Sequence, residues 1–201
     1  MTALRLNATD PIADTVARLN DFRPDSLVGY ASVHRLLAEE QLAGRLRISP
    51  VAVMSASEVL TDDTRRLVEE AWGRKPFNVY AATEPAGIAS ECEQHHGLHL
   101  YEDLVITEVV DQTNRPVPPG TFGAKILVTV LFSRTQPLIR YEMSDSVRLT
   151  ERRCPCGRPF ALLDGIQGRS EDVLHLPGRT SNSIAVHPLV FHDVLESGPG
   201  R

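Results

Sequence analysis

The chain has 201 residues, 42% of them hydrophobic and 23% charged, which are values of a folded protein with a buried core and exclude a disordered or collagen-like chain. Its 21 basic and 26 acidic side chains give a formal charge of −5, and its lysines, Lys75 and Lys125, stand alone, so no nucleic-acid or membrane partner is expected. No apolar run has the length of a membrane span and the first ten residues lack a basic-then-apolar leader pattern, which points to a cytoplasmic protein. The first element in chain order is a helix over residues 14–20, followed by a short strand at 26–30. A helix over 32–43 places Val33, Leu36, Leu37 and Leu42 on one face and stops at Gly44. A strand over 47–54 leads through Ser55, Ala56 and Ser57 to a helix capped by Thr61, with Leu67, Val68, Ala71 and Trp72 as its buried stripe. A strand at 77–80 completes the alternation, which predicts an α/β fold opening with parallel β/α units.

Beyond Thr83 the grammar changes. Strands are expected over 99–111, 123–132 and 138–149, with a Pro/Gly-rich turn at 114–120 and no helices between them. That pattern predicts an antiparallel β subdomain, as a sheet or small barrel. A last hairpin is expected from 172–176 and 183–187.

Three cysteines cannot all pair with one another, and a reducing compartment keeps them as thiols. Cys154 and Cys156 are two apart and precede Gly157, a spacing that lets both thiolates turn inward in a knuckle. Zinc takes four soft or borderline ligands in a tetrahedron, which Cys92, Cys154, Cys156 and one of His95, His96 or His99 would supply. Four protein ligands make such a site structural; the alternative is three thiols without metal.

The segment Asn78-Val-Tyr-Ala-Ala-Thr-Glu84 ends a strand, where an open parallel sheet gathers its ligands. Tyr80 could stack on a base, Thr83 bond a phosphate oxygen and Glu84 hold Mg²⁺; the competing reading is a helix N-terminus capped by Thr83. Asp145 ends a strand and has the paired oxygens that accept two adjacent ribose hydroxyls, or it is a turn aspartate. Arg169, beside small residues, suits a phosphate or a ribose, or merely a turn. No Gly-x-x-x-x-Gly-Lys loop and no Gly-x-Ser-x-Gly elbow occur, and His175, His187 and His192 are isolated.

In this order the pieces resemble the AMP-forming adenylate-forming (acyl-CoA synthetase) superfamily, in its phenylacetate–coenzyme A ligase-like branch. Tyr80-Ala-Ala-Thr-Glu84 resembles the family's Tyr-x-x-Thr-Glu motif, Ile139-Arg-Tyr-Glu-Met-Ser-Asp145 its ribose-binding strand, and Gly168-Arg-Ser-Glu-Asp172 its hinge. Ser55-Ala-Ser-Glu58 is similar to the segment lining the adenine pocket, and Cys92 with His99 resembles the zinc-bearing members. The resemblance implies ATP-dependent activation of a carboxylic acid, an aryl acid by branch, to an acyl-AMP and then transfer to coenzyme A. It further implies adenine contacts from Ser55, Ala56, Ser57 and Tyr80, an α-phosphate contact from Thr83 and a Mg²⁺ ligand in Glu84. Asp145 would hold the ribose, Arg169 the nucleotide, and Glu171 would sit at the hinge. The zinc ligands implied are Cys92, His99, Cys154 and Cys156.

The resemblance also divides the chain. Residues 1–168 match the C-terminal part of the large domain, with β/α units to 90 and mainly β structure with the zinc knuckle over 91–168. Residues 169–201 match the hinge and the truncated start of the lid. The family's phosphate-clamping loop and late lid lysine have no counterpart here. The expectation is therefore an incomplete ligase, inactive alone and completed by a complementary N-terminal polypeptide, or else a gene fragment. The alternative is a noncatalytic nucleotide- or zinc-binding module.

Overall fold

A computed structural model describes residues 2–177 and 183–186. His187, His192 and the lid stretch 190–196 lie outside the described residues. The chain forms two compact units, Met1–Asn78 and Val79–Arg201.

The first unit runs α1 (Ile12–Phe22), β1 (Ser26–Gly29), α2 (Ala31–Leu42), β2 (Ala52–Ala56) and α3 (Asp62–Trp72). β1 and β2 pair in parallel, Leu27 opposite Val53 and Gly29 opposite Ser55, as a strand–helix–strand crossover requires. Val16, Leu19, Leu27, Leu37, Ala38, Leu46, Ile48, Val53 and Val68 form its core. Thr61 caps α3 by accepting the Thr64 amide at 3.2 Å, and Gly73, in the left-handed region, ends it.

Two expectations fail in this unit. α2 buries Ala31, His34, Leu37 and Ala38, while Leu36 and Leu42 are exposed. Two alanines on the inner face let the helix approach closely, and the stripe follows spacings of three and four from them. The strand expected from residue 47 starts only at Ala52. Before it the amides bond to side chains, Arg47 N–H to Asn20 Oδ1 at 2.7 Å and Ile48 N–H to Gln41 Oε1 at 3.1 Å, so no ladder forms although Leu46 and Ile48 are buried.

β3 (Phe77–Ala82) carries the chain into the second unit. There follow β4 (Ala86–Glu91), β5 (Leu98–Leu100), β6 (Val105–Val110), β7 (Lys125–Val130), β8 (Tyr141–Met143), β9 (Asp145–Thr150) and β10 (Leu162–Arg169). A 3₁₀ turn (Ser170–Asp172) leads to a hairpin of β11 (Leu174–Pro177) and β12 (Ser183–Val186). Strands β3-β4-β5-β10-β9 form an antiparallel sheet and β6-β7-β8 a second one. Tyr80, Ile88, Leu98, Leu100, Val147 and Leu163 of the first sheet share a core with Val105, Val109, Ile126, Val128 and Met143 of the second.

The antiparallel subdomain is as expected, but its strands are cut differently. The run 99–111 breaks where the Leu104 and Val105 amides both return to the Tyr101 carbonyl at 2.8 Å, so β5 and β6 enter different sheets. The run 138–149 breaks at Ser144 between β8 and β9. β4 and β10 are not among the expected strands, and β4 stands where the alternative reading had a helix beginning. In β10, Gly165 stands where a Cβ would come within 2.7 Å of the Phe122 ring, and Gly168 takes φ +90° beside a register shift.

Candidate functional site

Residues 83–85 form a tight turn between β3 and β4, Ala82 opposite Ala86, with Ala86 itself left-handed at φ 61°. Thr83 is thus not a helix cap: a hairpin replaces the helix N-terminus, and Thr83 and Glu84 project as exposed side chains at its tip. One extra residue, Ile88, bulges β4 between Ala89, opposite Tyr80, and Gly87, opposite Ala81. Such bulges bend a strand and re-aim the side chains beside them.

Asp145 opens β9 and Arg169 closes β10, and the ladder sets the two directly opposite each other. Tyr80 is buried, 9% exposed, within the core of this unit. Its hydroxyl faces the Asp145 carboxylate without closing a hydrogen bond of ordinary geometry. Burial pushes the Tyr80 phenol well up, helped by the negative charge of Asp145. Burial also raises Asp145 above the usual carboxylate range, against the opposing pull of Tyr80 and Arg169, while Asp172 adds to the rise. The structure therefore brings Tyr80, Asp145 and Arg169 together.

Glu84, on the turn four residues beyond Tyr80, is bonded by a residue to which the sequence reading gave no role. The Tyr141 hydroxyl, on β8, donates to Glu84 Oε1 at 3.0 Å. Tyr141 lies four residues before Asp145 in one motif but on β8 of the other sheet, so that motif was the available signal. Glu171 is exposed in the 3₁₀ turn after Arg169, whose first amide, Ser170 N–H, bonds Ser144 O at 2.8 Å. Ser55, Ala56 and Ser57 lie in the other unit, at the carboxyl end of β2. There the Ser55 hydroxyl is fully buried without a hydrogen-bond partner, and Ser57 takes φ 67°, a left-handed backbone that a serine adopts only under constraint. Glu58 follows them and accepts the Ser32 amide at 2.8 Å.

The cysteines converge as well. Cys92 follows β4, His99 is the middle residue of β5, and residues 154–157 turn back so that Gly157 N–H bonds Cys154 O at 3.2 Å with Gly157 at φ +80°. Cys92 Sγ lies 3.5 Å from Cys154 Sγ, Cys156 Sγ lies 3.4 Å from His99 Nε2, and the four ligand atoms fall within 4.8 Å of one another. A tetrahedron with Zn–S bonds of about 2.3 Å has edges of about 3.8 Å, so the donors fit that metal. The structure also chooses among the three histidines: His95 pairs with Glu91 at 3.1 Å and His96 is exposed, leaving His99. Burial and then the Arg158 charge lower the His99 pKa, which keeps the imidazole neutral as a ligand must be. The Arg158 amide holds the Cys156 thiol below its ordinary value.

Among the described residues no helix is long and apolar enough to cross a membrane. No family model matches the chain. A phenylacetate-coenzyme A ligase of Thermus thermophilus is 34% identical over 194 residues, covering 92% of this chain and 42% of the relative. A phenylacetate-coenzyme A ligase of Pseudomonas putida is 30% identical over 172 residues, with 81% and 38% covered. The chain thus spans about two fifths of the length of the curated relatives it matches. Among solved structures, 2-hydroxyisobutyryl-CoA ligase in its postadenylation state with R3-HIB-AMP is 26% identical with TM-score 0.79, over 97% of this chain and 42% of that one. ATP-bound MatB of Rhodopseudomonas palustris, at 21% identity and TM-score 0.61 over 94% of this chain and 38% of its own, shares the fold. With the motifs in order and the fold matched along nearly its whole length, the chain belongs to the AMP-forming adenylate-forming ligase superfamily, of which it carries a part.

Proposed function

We propose that this chain forms the nucleotide-facing rim of an ATP-dependent acid–CoA ligase of the phenylacetate–CoA ligase type. The observation that carries this reading is the convergence of Tyr80, Asp145 and Arg169, with Glu84 on the turn that ends the strand carrying Tyr80. Asp145 presents two acceptor oxygens to the ribose hydroxyls, and Arg169 opposite it offers a fork of donors to the nucleotide. Tyr80 walls the base side next to Asp145; its burial limits what ring area a base can cover. Thr83 at the hairpin tip is free to bond the α-phosphate, and Glu84 is the ligand for Mg²⁺, which neutralises phosphate charge when bound. Ser55, Ala56 and Ser57, in the first unit, are the residues that the resemblance assigns to adenine.

In that reading the carboxylate of the acid attacks the α-phosphorus and pyrophosphate leaves; the coenzyme A thiol then displaces AMP from the acyl-AMP. The chain's own share is position and charge. Residues 1–168 serve as the C-terminal part of the large domain, and 169–201 as hinge and lid start turning about Glu171. A complementary N-terminal polypeptide supplies the phosphate loop, and the acid and CoA pockets are completed there. Relatives named as phenylacetate-coenzyme A ligases, and solved relatives holding AMP adducts, CoA or ATP, support this assignment. Titration of AMP and of Mg·ATP into the chain by calorimetry tests it. Asp145→Ala should abolish AMP binding and Glu84→Ala should weaken Mg·ATP alone; absence of any nucleotide binding by the unaltered chain overturns it.

Cys92, His99, Cys154 and Cys156 hold a structural Zn²⁺, joining β4, β5 and the 154–157 turn. Zinc sites of this kind contribute on the order of 10 kcal/mol to the fold they close. Elemental analysis should find one zinc per chain, and Cys154→Ser should lose it together with a large drop in Tm; metal-free protein of undiminished stability refutes the assignment. This cluster also favours a second reading, a noncatalytic zinc- or nucleotide-binding module. Acid-dependent pyrophosphate release, in the presence of the complementary half, separates the two.

A further inference from the structure

Three consecutive residues of the segment entering β8 are each tied to a different part of the second unit. Arg140 forks onto Glu108 of β6 at 3.0 and 3.2 Å, and its amide bonds Thr129 Oγ1 of β7 at 2.9 Å. Glu142 meets Lys125 of β7 at 2.6 Å. Between them Tyr141 reaches out of its own sheet to Glu84 at the β3–β4 tip. Arg140 carries the bend, at φ 50°, a left-handed backbone that costs a non-glycine residue about 1–2 kcal/mol. The bidentate ion pair and the Thr129 bond offset that cost, and the result is a fixed direction for the next side chain.

Tyr141 is not part of the buried core. It is 36% exposed, whereas Met143, two residues on, is buried in the core. What its ring gains from the exposed position is the reach of its hydroxyl. A free glutamate at an exposed hairpin tip samples several rotamers, and fixing one of its oxygens removes part of the entropy a ligand would otherwise have to overcome.

We propose that Tyr141 is a positioning residue for Glu84, its hydroxyl fixing Oε1 so that Oε2 is presented to a divalent cation carried by a nucleotide. This rests on the nucleotide-binding reading above and adds to it a residue outside the expected set. The Arg140–Glu108 pair is the brace that aims Tyr141.

The test uses the full chain with two probes, AMP alone and ATP with Mn²⁺, free Mn²⁺ being followed by electron paramagnetic resonance. Tyr141→Phe removes one hydrogen bond to a carboxylate and should weaken Mn·ATP about tenfold while leaving AMP unchanged. Glu108→Gln releases the brace and should move Mn·ATP in the same direction by a smaller factor, again sparing AMP. Glu84→Gln should remove the Mn²⁺-dependent gain altogether. Equal weakening of AMP and Mn·ATP by Tyr141→Phe would mean a structural role only and overturns the proposal. So does an unchanged Mn·ATP affinity in Tyr141→Phe where Glu84→Gln abolishes the gain, an outcome that leaves the nucleotide reading standing. If the unaltered chain binds neither probe, both fall.

Discussion

Gly97→Ala offers a measurement in which backbone conformation, packing and the metal cluster meet. Gly97 takes φ +120°, a region closed to L side chains, and a Cβ there would lie 2.8 Å from the carbonyl oxygen of Leu163. That oxygen belongs to β10, where Leu163 is fully buried opposite Leu98, so it cannot swing aside as a flexible side chain would. The conformational strain costs about 1–3 kcal/mol. Forcing β5 and β10 apart adds an overpacking cost of about 1–3 kcal/mol. The sum, about 2–6 kcal/mol, is a large part of the stability of a domain. Gly120→Ala is the internal control: Gly120 also has a positive φ, +85°, but nothing lies within 4 Å of its Cβ position, so only strain of about 1–2 kcal/mol applies. Urea unfolding of both variants, followed by far-ultraviolet circular dichroism, gives the difference directly. His99 lies two residues beyond Gly97, so the displaced strand should also bind zinc more weakly. A Gly97→Ala protein no less stable than Gly120→Ala refutes the reasoning, because the clash with β10 would then be absent.

His34 predicts a pH dependence in the first unit. Burial lowers its pKa from 6.5 to about 4, the Glu58 charge opposing, so between those values the unfolded chain binds the proton that the folded one releases. Stability from this group is thus complete above the unfolded value and is lost as pH falls from 6.5 toward 4, by on the order of 3 kcal/mol. His34→Leu should flatten that part of the stability–pH curve; an unchanged slope between the two proteins would contradict it. Thr61→Ala removes the cap of α3 and should cost about 1 kcal/mol in a denaturant midpoint measurement, with Thr61→Ser restoring most of it. A variant indistinguishable from the parent would show that water replaces the hydroxyl there without loss.

The elements that the amino-acid order settled alone are those whose signals are local. The parallel pairing of β1 and β2 through α2, the Thr61 cap, the Gly73 stop and the antiparallel character of the second unit follow from periodicity, caps and breakers within a few residues. The ingredients of both candidate sites, Tyr80, Thr83, Glu84, Asp145 and Arg169 on one side and the three cysteines on the other, were legible for the same reason, as motifs of fixed spacing. Tertiary structure decided the rest, wherever a residue's role depends on a partner distant in sequence. The inner face of α2 passes through His34 and Ala38 because neighbouring elements pack there, although Leu36 and Leu42 are the more hydrophobic residues. Strands β4 and β10 exist because other strands supply their ladders, which outweighs the poor strand propensity of Gly87, Gly165 and Gly168. His99, rather than His95 or His96, reaches the cysteines because β5 pairs on both edges and fixes its direction. Tyr141 meets Glu84, 57 residues away, only because folding sets β8 beside the β3–β4 tip. Periodicity carries information over a turn or two of chain, whereas ladder partners and opposed charges are properties of the closed fold.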